Sequence, residues 1–277
     1  VSTETGEIIS LAVNERSRLP LILVLVGVFF LVILLVGGRT GLKSLVGLVF
    51  TVVGLIWIFI PLLLKGAMPA PTALLLCVEV AAMCFLLLGG LNKKTITAML
   101  GTVAGMGLAA LFSLIAQKLL QINSYSMYNT DPQLDAFVTT QWQGIPLHIT
   151  GLLTAGVIIS ALGAVMDVAM SLSSAVSELK AVNPDLTPRD LWKSGMNIGR
   201  DMVGTMTNTL ILAFVGSSLV ILIFIWIQNP PARLFANSSF LAVELVSGLS
   251  SSVGLILAVP ITALIAAVLF GRKPRQK

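Results

Sequence analysis

Charge is what this sequence has least of. Only 10% of its 277 residues are Asp, Glu, Lys or Arg, while 56% are apolar. A soluble domain carries roughly a quarter charged residues. Water alone cannot therefore be the solvent of this chain, and lipid is the partner that fits such a surface. There is one histidine, and neither CxxC nor HExxH occurs, so the usual sequence signals of a metal site are missing. The two cysteines, Cys77 and Cys84, stand one heptad apart in one apolar run. Two residues so placed on one helix cannot bridge each other, and they read as small packing residues. No GxGD pair and no Ser–His pair at matched depth marks an intramembrane enzyme. The expectation is a non-enzymatic chain without metal or cofactor. The net charge of +5 sits in clusters between apolar runs, which is the pattern of membrane-helix flanks and not of nucleic-acid binding.

What the chain has instead is apolar length. Seven runs, near residues 19–36, 44–64, 70–89, 95–120, 149–176, 202–227 and 240–270, approach or exceed the roughly 20 helical residues that cross a bilayer core. Gly and Val are scattered through them without period-2 alternation, so helices fit and a barrel does not. The expected fold is all-α, a polytopic membrane helix bundle with about seven transmembrane helices over residues 19–270. A polar segment, 1–18, precedes it and a basic tail, 271–277, follows. With Val1 first and no cleavable signal in view, the numbering is expected to begin inside a longer precursor.

Lys and Arg set the orientation. Arg39, Lys43, Lys93, Lys94, Lys180, Arg189, Lys193, Arg200, Arg272, Lys273, Arg275 and Lys277 fall on one side, twelve of the seventeen basic residues. The positive-inside rule puts that side in the cytoplasm, with the N-terminus outside and the C-terminus inside. The location expected is a bacterial cytoplasmic (inner) membrane.

Two connections carry short amphipathic helices. Around 131–142, Asp131 caps and Pro132 leads. Between the fifth and sixth runs, Thr187 caps, Pro188 leads and Asp190 holds the capping-box position, with Leu191, Trp192, Gly195, Met196 and Gly199 sharing a face. Both are expected to lie flat at the interface, each anchored by a Trp. In the fourth run, Gly101 and Gly105 form a small-xxx-small pair that Gly107 and Ala109 extend, the signature of close helix packing. Pro260 is expected to bend the last run.

Four acids lie within or near the apolar runs. Glu79 is mid-run, Asp167 is in the inner half of the fifth run, Asp201 opens the sixth and Glu244 opens the seventh. Asp201 is expected to gain from the positive end of its helix. A charged carboxylate deep in a bilayer costs about 2.5–3.5 kcal/mol or more, so Glu79 and Asp167 need a partner or a task. Glu79 is expected to sit against another helix. Asp167, Ser171, Ser174 and Glu178 recur at helical spacing as one polar stripe. Asp201, Thr205 and Asn208 form a second, with Thr209 beside it, and Glu244, Ser247 and Ser251 form a third. Lipid satisfies none of them, so the three are expected to face one another as a hydrated path. Asp167, buried among Val165, Met166 and Val168, is the candidate proton carrier. Arg200 and Glu178 are expected to pair at the inner gate. The competing reading is that each hydroxyl bonds back to its own helix and holds structure only.

Four blocks carry a resemblance: GGRTGLKSLVGL at 37–48, LLLGGLNKKTITAMLGTVAG at 86–105, GLLTAGVIISALGAVMDVAMSLSSAVSEL at 151–179 and NIGRDMVGTMTNTLILAFVG at 197–216. In that order they resemble the YibE/F family of bacterial membrane proteins over nearly the whole chain. The resemblance implies a transport or export role. Some members carry two adjacent carboxylates where this chain has Met166 and Asp167, so a two-carboxylate mechanism does not carry over. Residues 150–270 are also similar in order and spacing to one half of SecD/SecF and other proton-driven RND proteins. That likeness implies proton conduction at Asp167 and an RND-like part to the fold.

The reading is a proton-coupled transporter or export component acting on an unknown substrate, with the lipid bilayer as its first partner. A homo-oligomer or an export partner is a further expectation; nucleic acid is not. The alternative is a non-transporting membrane subunit, or a protein-export or insertion accessory factor, whose polar residues are structural.

Overall fold

The structure, a computed structural model, describes residues 18–122, 151–227 and 231–271. The helix expected at 131–142, most of segment 1–18 and the tail from 272 lie outside them. The chain divides into two units, residues 1–46 and 47–277, and each is taken by itself.

Among the described residues every element is helical. The first, α1, runs Leu19–Val53 and is broken at Gly38, whose φ of 52° and ψ of −130° mark the meeting of two helices. Such a positive φ suits glycine because no Cβ collides with the backbone. In the first unit, a Cβ on Gly41 would strike the Ile33 carbonyl, so a side chain is excluded there too. Residues 19–36 are apolar and almost wholly exposed, as befits a helix whose solvent is lipid. A π-helical segment, Gly54–Phe59, then joins α1 to α2 (Ile60–Leu64). Together Leu19–Leu64 makes 46 residues of helix. The two runs expected at 19–36 and 44–64 are thus one helical stretch with its break between them.

In the second unit follow α3 (Pro69–Gly89), α4 (Lys93–Leu119), α5 (Leu152–Val182), α6 (Pro188–Ser217), α7 (Leu219–Ile227), α8 (Ala232–Ala236) and α9 (Ser239–Gly271). Five stretches among the described residues are long and apolar enough to cross a membrane: Leu19–Leu64, α3, α4, α5 and most of α9. The sixth run is not among them. Its residues are shared between α6 and α7, which break at Ser218, and the first half of α6 is too polar. The amphipathic segment expected to lie apart at 188–199 is continuous with α6 through Ser217. Its start is as the sequence indicates. Thr187 accepts from the Asp190 backbone N–H at 3.3 Å, and its own N–H donates to the Asp190 carboxylate at 3.0 Å. Leu191, Gly195 and Gly199 form its buried face.

The core gathers on α4, α5 and α9, which pack against one another, with α6 against α9 and α5, and α3 against α5 and α4. Glycine sets the closeness. A Cβ on Gly105 would lie 2.7 Å from a methyl of Val165 on α5 and 2.8 Å from the Ala258 Cβ on α9. Gly254 of α9 meets Ala109 and the Gly105 carbonyl in the same way, and Gly101 abuts Thr262. These contacts run antiparallel along α4 and α9 and bury Ala109, Leu255 and Ala258. Gly107, which the sequence places on the same small surface, faces open space. The chain stays helical through Pro260.

Two outcomes follow from this packing and capping. Gly105→Val forces a side chain into Val165 and Ala258, an overpacking cost of about 1–3 kcal/mol or more. Gly107→Ala meets nothing and removes a helical glycine, a gain of up to about 1 kcal/mol. Thermal unfolding in detergent should therefore move in opposite directions for the two variants. At Asp190, hydrogen bonds from the Thr187 hydroxyl and then the Thr187 N–H hold the carboxyl below the usual carboxylate range. A lowered value adds stability in full above an unfolded pKa of about 4, lost as pH falls through the lowered value. The stability difference between wild type and Asp190→Asn should accordingly be constant near neutral pH and shrink below about pH 4. A difference independent of pH down to the acid limit would rule out the carboxylate as the capping group.

Candidate functional site

The site is built on α5. Its apolar positions, including Val157, Ile158, Ala161, Val165, Val168, Ala169 and Leu172, are buried against α3, α4, α9 and α6. The opposite face is the polar stripe read from the sequence. Gly156, Gly163, Asp167, Ser171 and Glu178 are all exposed, and Ser174 is half-buried. Asp167 is the sixteenth of the 31 residues of α5, so it stands at mid-span. The burial expected for it is not found. Helical periodicity turns it away from Val165 and Val168, whose side chains are fully buried. Among the described residues no hydrogen bond or opposite charge holds its carboxylate.

On α6, Asp201, Thr205, Asn208 and Thr209 are likewise exposed. Asp201 is not at a helix start, because α6 begins at Pro188. Its charge therefore gains nothing from the helix end, whose effect dies away within a turn. A Cβ on Gly195 would touch Val176 at 3.2 Å, which fixes the register of the antiparallel pair α5 and α6. Counting out from that contact, Asp167 lies level with Gly204, with Thr205 and Asn208 close to the same depth. Glu178 lies level with Lys193, and Arg200 with Ser171. The pairing expected between Glu178 and Arg200 thus spans about 10 Å along the axis, and the structure does not bring the two together.

The hydroxyls of the first two stripes turn inward on their own helices. Ser174 donates to the Met170 carbonyl at 2.7 Å, Thr205 to Met202 at 3.1 Å and Thr209 to Thr205 at 3.0 Å. The third stripe behaves differently. Ser251 of α9 is buried and shares a 2.9 Å hydrogen bond with Ser160 of α5. Glu244, half-buried near the start of α9, borders a small apolar cavity of about 140 Å³ with Phe214, Ser218 and Leu241. Glu79, expected against another helix, faces outward from the middle of α3 between Leu75 and Met83, because Val80 and Ala81 take the buried side.

Further interhelical bonds come from polar residues passed over in the sequence. Gln117 of α4 donates to Ser113 on its own helix at 2.9 Å and to Thr154 of α5 at 2.8 Å. Ser173 of α5 donates to the Lys94 carbonyl at 2.8 Å. The only sequence signal was the four-residue spacing of Ser113 and Gln117 within an apolar run. Their partner lies 37 residues further along. Asp167 therefore sits between interhelical hydrogen bonds nearer the start of α5, at Thr154 and Ser160, and one nearer its end, at Ser173, on a face that none of them covers.

The geometry joins a long apolar bundle to Asp167 at mid-span of α5 and its polar stripe. No curated protein and no solved structure matches the chain. The profile of the family described as YibE/F-like protein matches residues 25–272. That match takes in nearly all of α1 and every later helix described above. The chain belongs to the YibE/F family.

Proposed function

We propose that this multi-pass membrane protein is a proton-coupled transport or export component in which Asp167 carries the proton. One observation supports the reading above the others. The carboxylate of Asp167 stands at the middle of a 31-residue span, exposed and, among the described residues, unpaired. Such placement costs free energy that structure alone does not recover. Ser171, Ser174 and Glu178 continue its stripe toward the basic end of α5, and Thr205 and Asn208 offer hydrogen-bonding groups at similar depth. Acids that change charge state need such neighbours to receive and release protons.

The fuller reading has seven crossings. The break at Gly38 divides the first stretch, and the second half of α6 with α7 supplies the sixth crossing. Residues 150–270 are read as RND-like. The N-terminus is outside and the C-terminus in the cytoplasm of a bacterial inner membrane, and the substrate is unnamed. A second reading, a non-transporting subunit with structural polar residues, has one observation in its favour. The hydroxyls of Ser174, Thr205 and Thr209 donate to carbonyls of their own helices and not across to a neighbour.

Two experiments test the proposal. Asp167→Asn keeps volume and hydrogen-bonding capacity but holds no exchangeable charge. In liposomes it should fold normally and lose proton flux, while Asp167→Glu keeps part of it. Full flux in Asp167→Asn across pH 6–8 would end the carrier assignment and favour the structural reading. For topology, single cysteines at Asn237, Asn92 and Asn183 in a background lacking Cys77 and Cys84 should differ. An impermeant maleimide added outside should reach Asn237→Cys alone. The reverse pattern would invert the orientation.

A further inference from the structure

Beyond the polar stripe, the second unit holds one cavity of about 270 Å³ between the end of α1 with its π segment, α3 and α5. Three features keep it open. The π turn widens the helix at Gly54–Phe59. Gly163 contributes no side chain, and a Cβ there meets nothing within 4 Å. On the α3 wall the small side chains of Cys77 and Cys84 stand beside Leu76 and Val80. Ile159 and Met166 close the α5 side, and Thr51 stands at the end of α1.

The wall carries no charge. Its polar atoms are the Thr51 hydroxyl and the two thiols. Thr51 already donates to the Gly47 carbonyl at 2.9 Å, and the thiols are weak hydrogen-bonding groups. Little is left to bind a polar ligand, and burying one there without a partner is costly. Residues 77–84 and 159–166 are the middles of α3 and α5, so the partly open side of the cavity gives onto hydrocarbon. Asp167 follows Met166 and stands one turn past Gly163, which puts it at the cavity's margin.

We propose that this cavity is a binding site for a small apolar molecule dissolved in the membrane, entered sideways from the lipid, with Asp167 beside its mouth. Concave, apolar and with few polar groups, it has the character of a ligand pocket. The site does not depend on proton carriage, and its test reads occupancy.

The probe is a trifluoromethyl-phenyl diazirine, photoactivated in liposomes containing the full chain, with the label mapped by peptide mass. Labelling of segments 77–84 and 159–166 should saturate with probe. Gly163→Leu, which grows a side chain into the space, should reduce it several-fold. Met166→Ala, which enlarges the space, should raise it. Labelling reads occupancy and not flux, so a failed carrier assignment and a failed site are told apart. Label that rises in proportion to probe and never saturates would overturn the proposal, because bilayer acyl chains would then be the only occupants. Labelling indifferent to both Met166→Ala and Gly163→Leu would overturn it equally. Should Gly163→Leu fail to accumulate, the response of Met166→Ala decides alone.

Discussion

The contact between α4 and α9 is the constraint on which the remainder of the bundle rests. Two backbones come together because Gly101, Gly105 and Gly254 place no Cβ between them. In lipid there is no hydrophobic gain from joining two apolar helices, so close packing and a few hydrogen bonds carry the association. The small residues supply the first. Gln117, Thr154, Ser160, Ser173 and Ser251 supply the second. Other hydroxyls, those of Thr102, Ser250 and Thr262, are buried without a partner. Each is a cost that the packing must outweigh.

That division explains which parts of the molecule were legible in the sequence. The capping box at Thr187 and Asp190 needs only three residues of spacing, and the structure reproduces it. The Gly101 and Gly105 pair was also legible, because four-residue spacing puts small side chains on one helix face. The polar stripe of α5 was read correctly as a face. What periodicity does not give is the neighbour that a face meets. Asp167 was expected to be buried because its sequence neighbours are apolar, yet those neighbours point to the other side of the helix. Glu79 met the same fate on α3. The bond between Gln117 and Thr154 was invisible for a related reason. It depends on how two helices are rotated, and no local pattern encodes that.

The two functional readings draw on different links of this chain of reasoning. Proton carriage draws on depth and exposure, since Asp167 is mid-span and has no partner among the described residues. The structural reading draws on local hydrogen bonding, since the nearby hydroxyls are already satisfied. Membership of the YibE/F family fixes the kind of molecule and leaves that choice to the acid itself.

The closeness of α4 and α9 also has a bearing on biogenesis. Gly101 must wait for Thr262, and Gly105 for Ala258. Ribosomes deliver α3, α4, α5 and α6 to the membrane before the last helix exists. During that interval the glycine face of α4 and the Ser160 side of α5 have no α9 to close over them. The α5–α6 hairpin, joined by a short connection that Lys180 ties through the Pro184 and Leu186 carbonyls, is complete by then. Assembly therefore ends with α9 entering as a keystone, and a chain released before about residue 254 lacks the piece that makes its earlier helices a bundle.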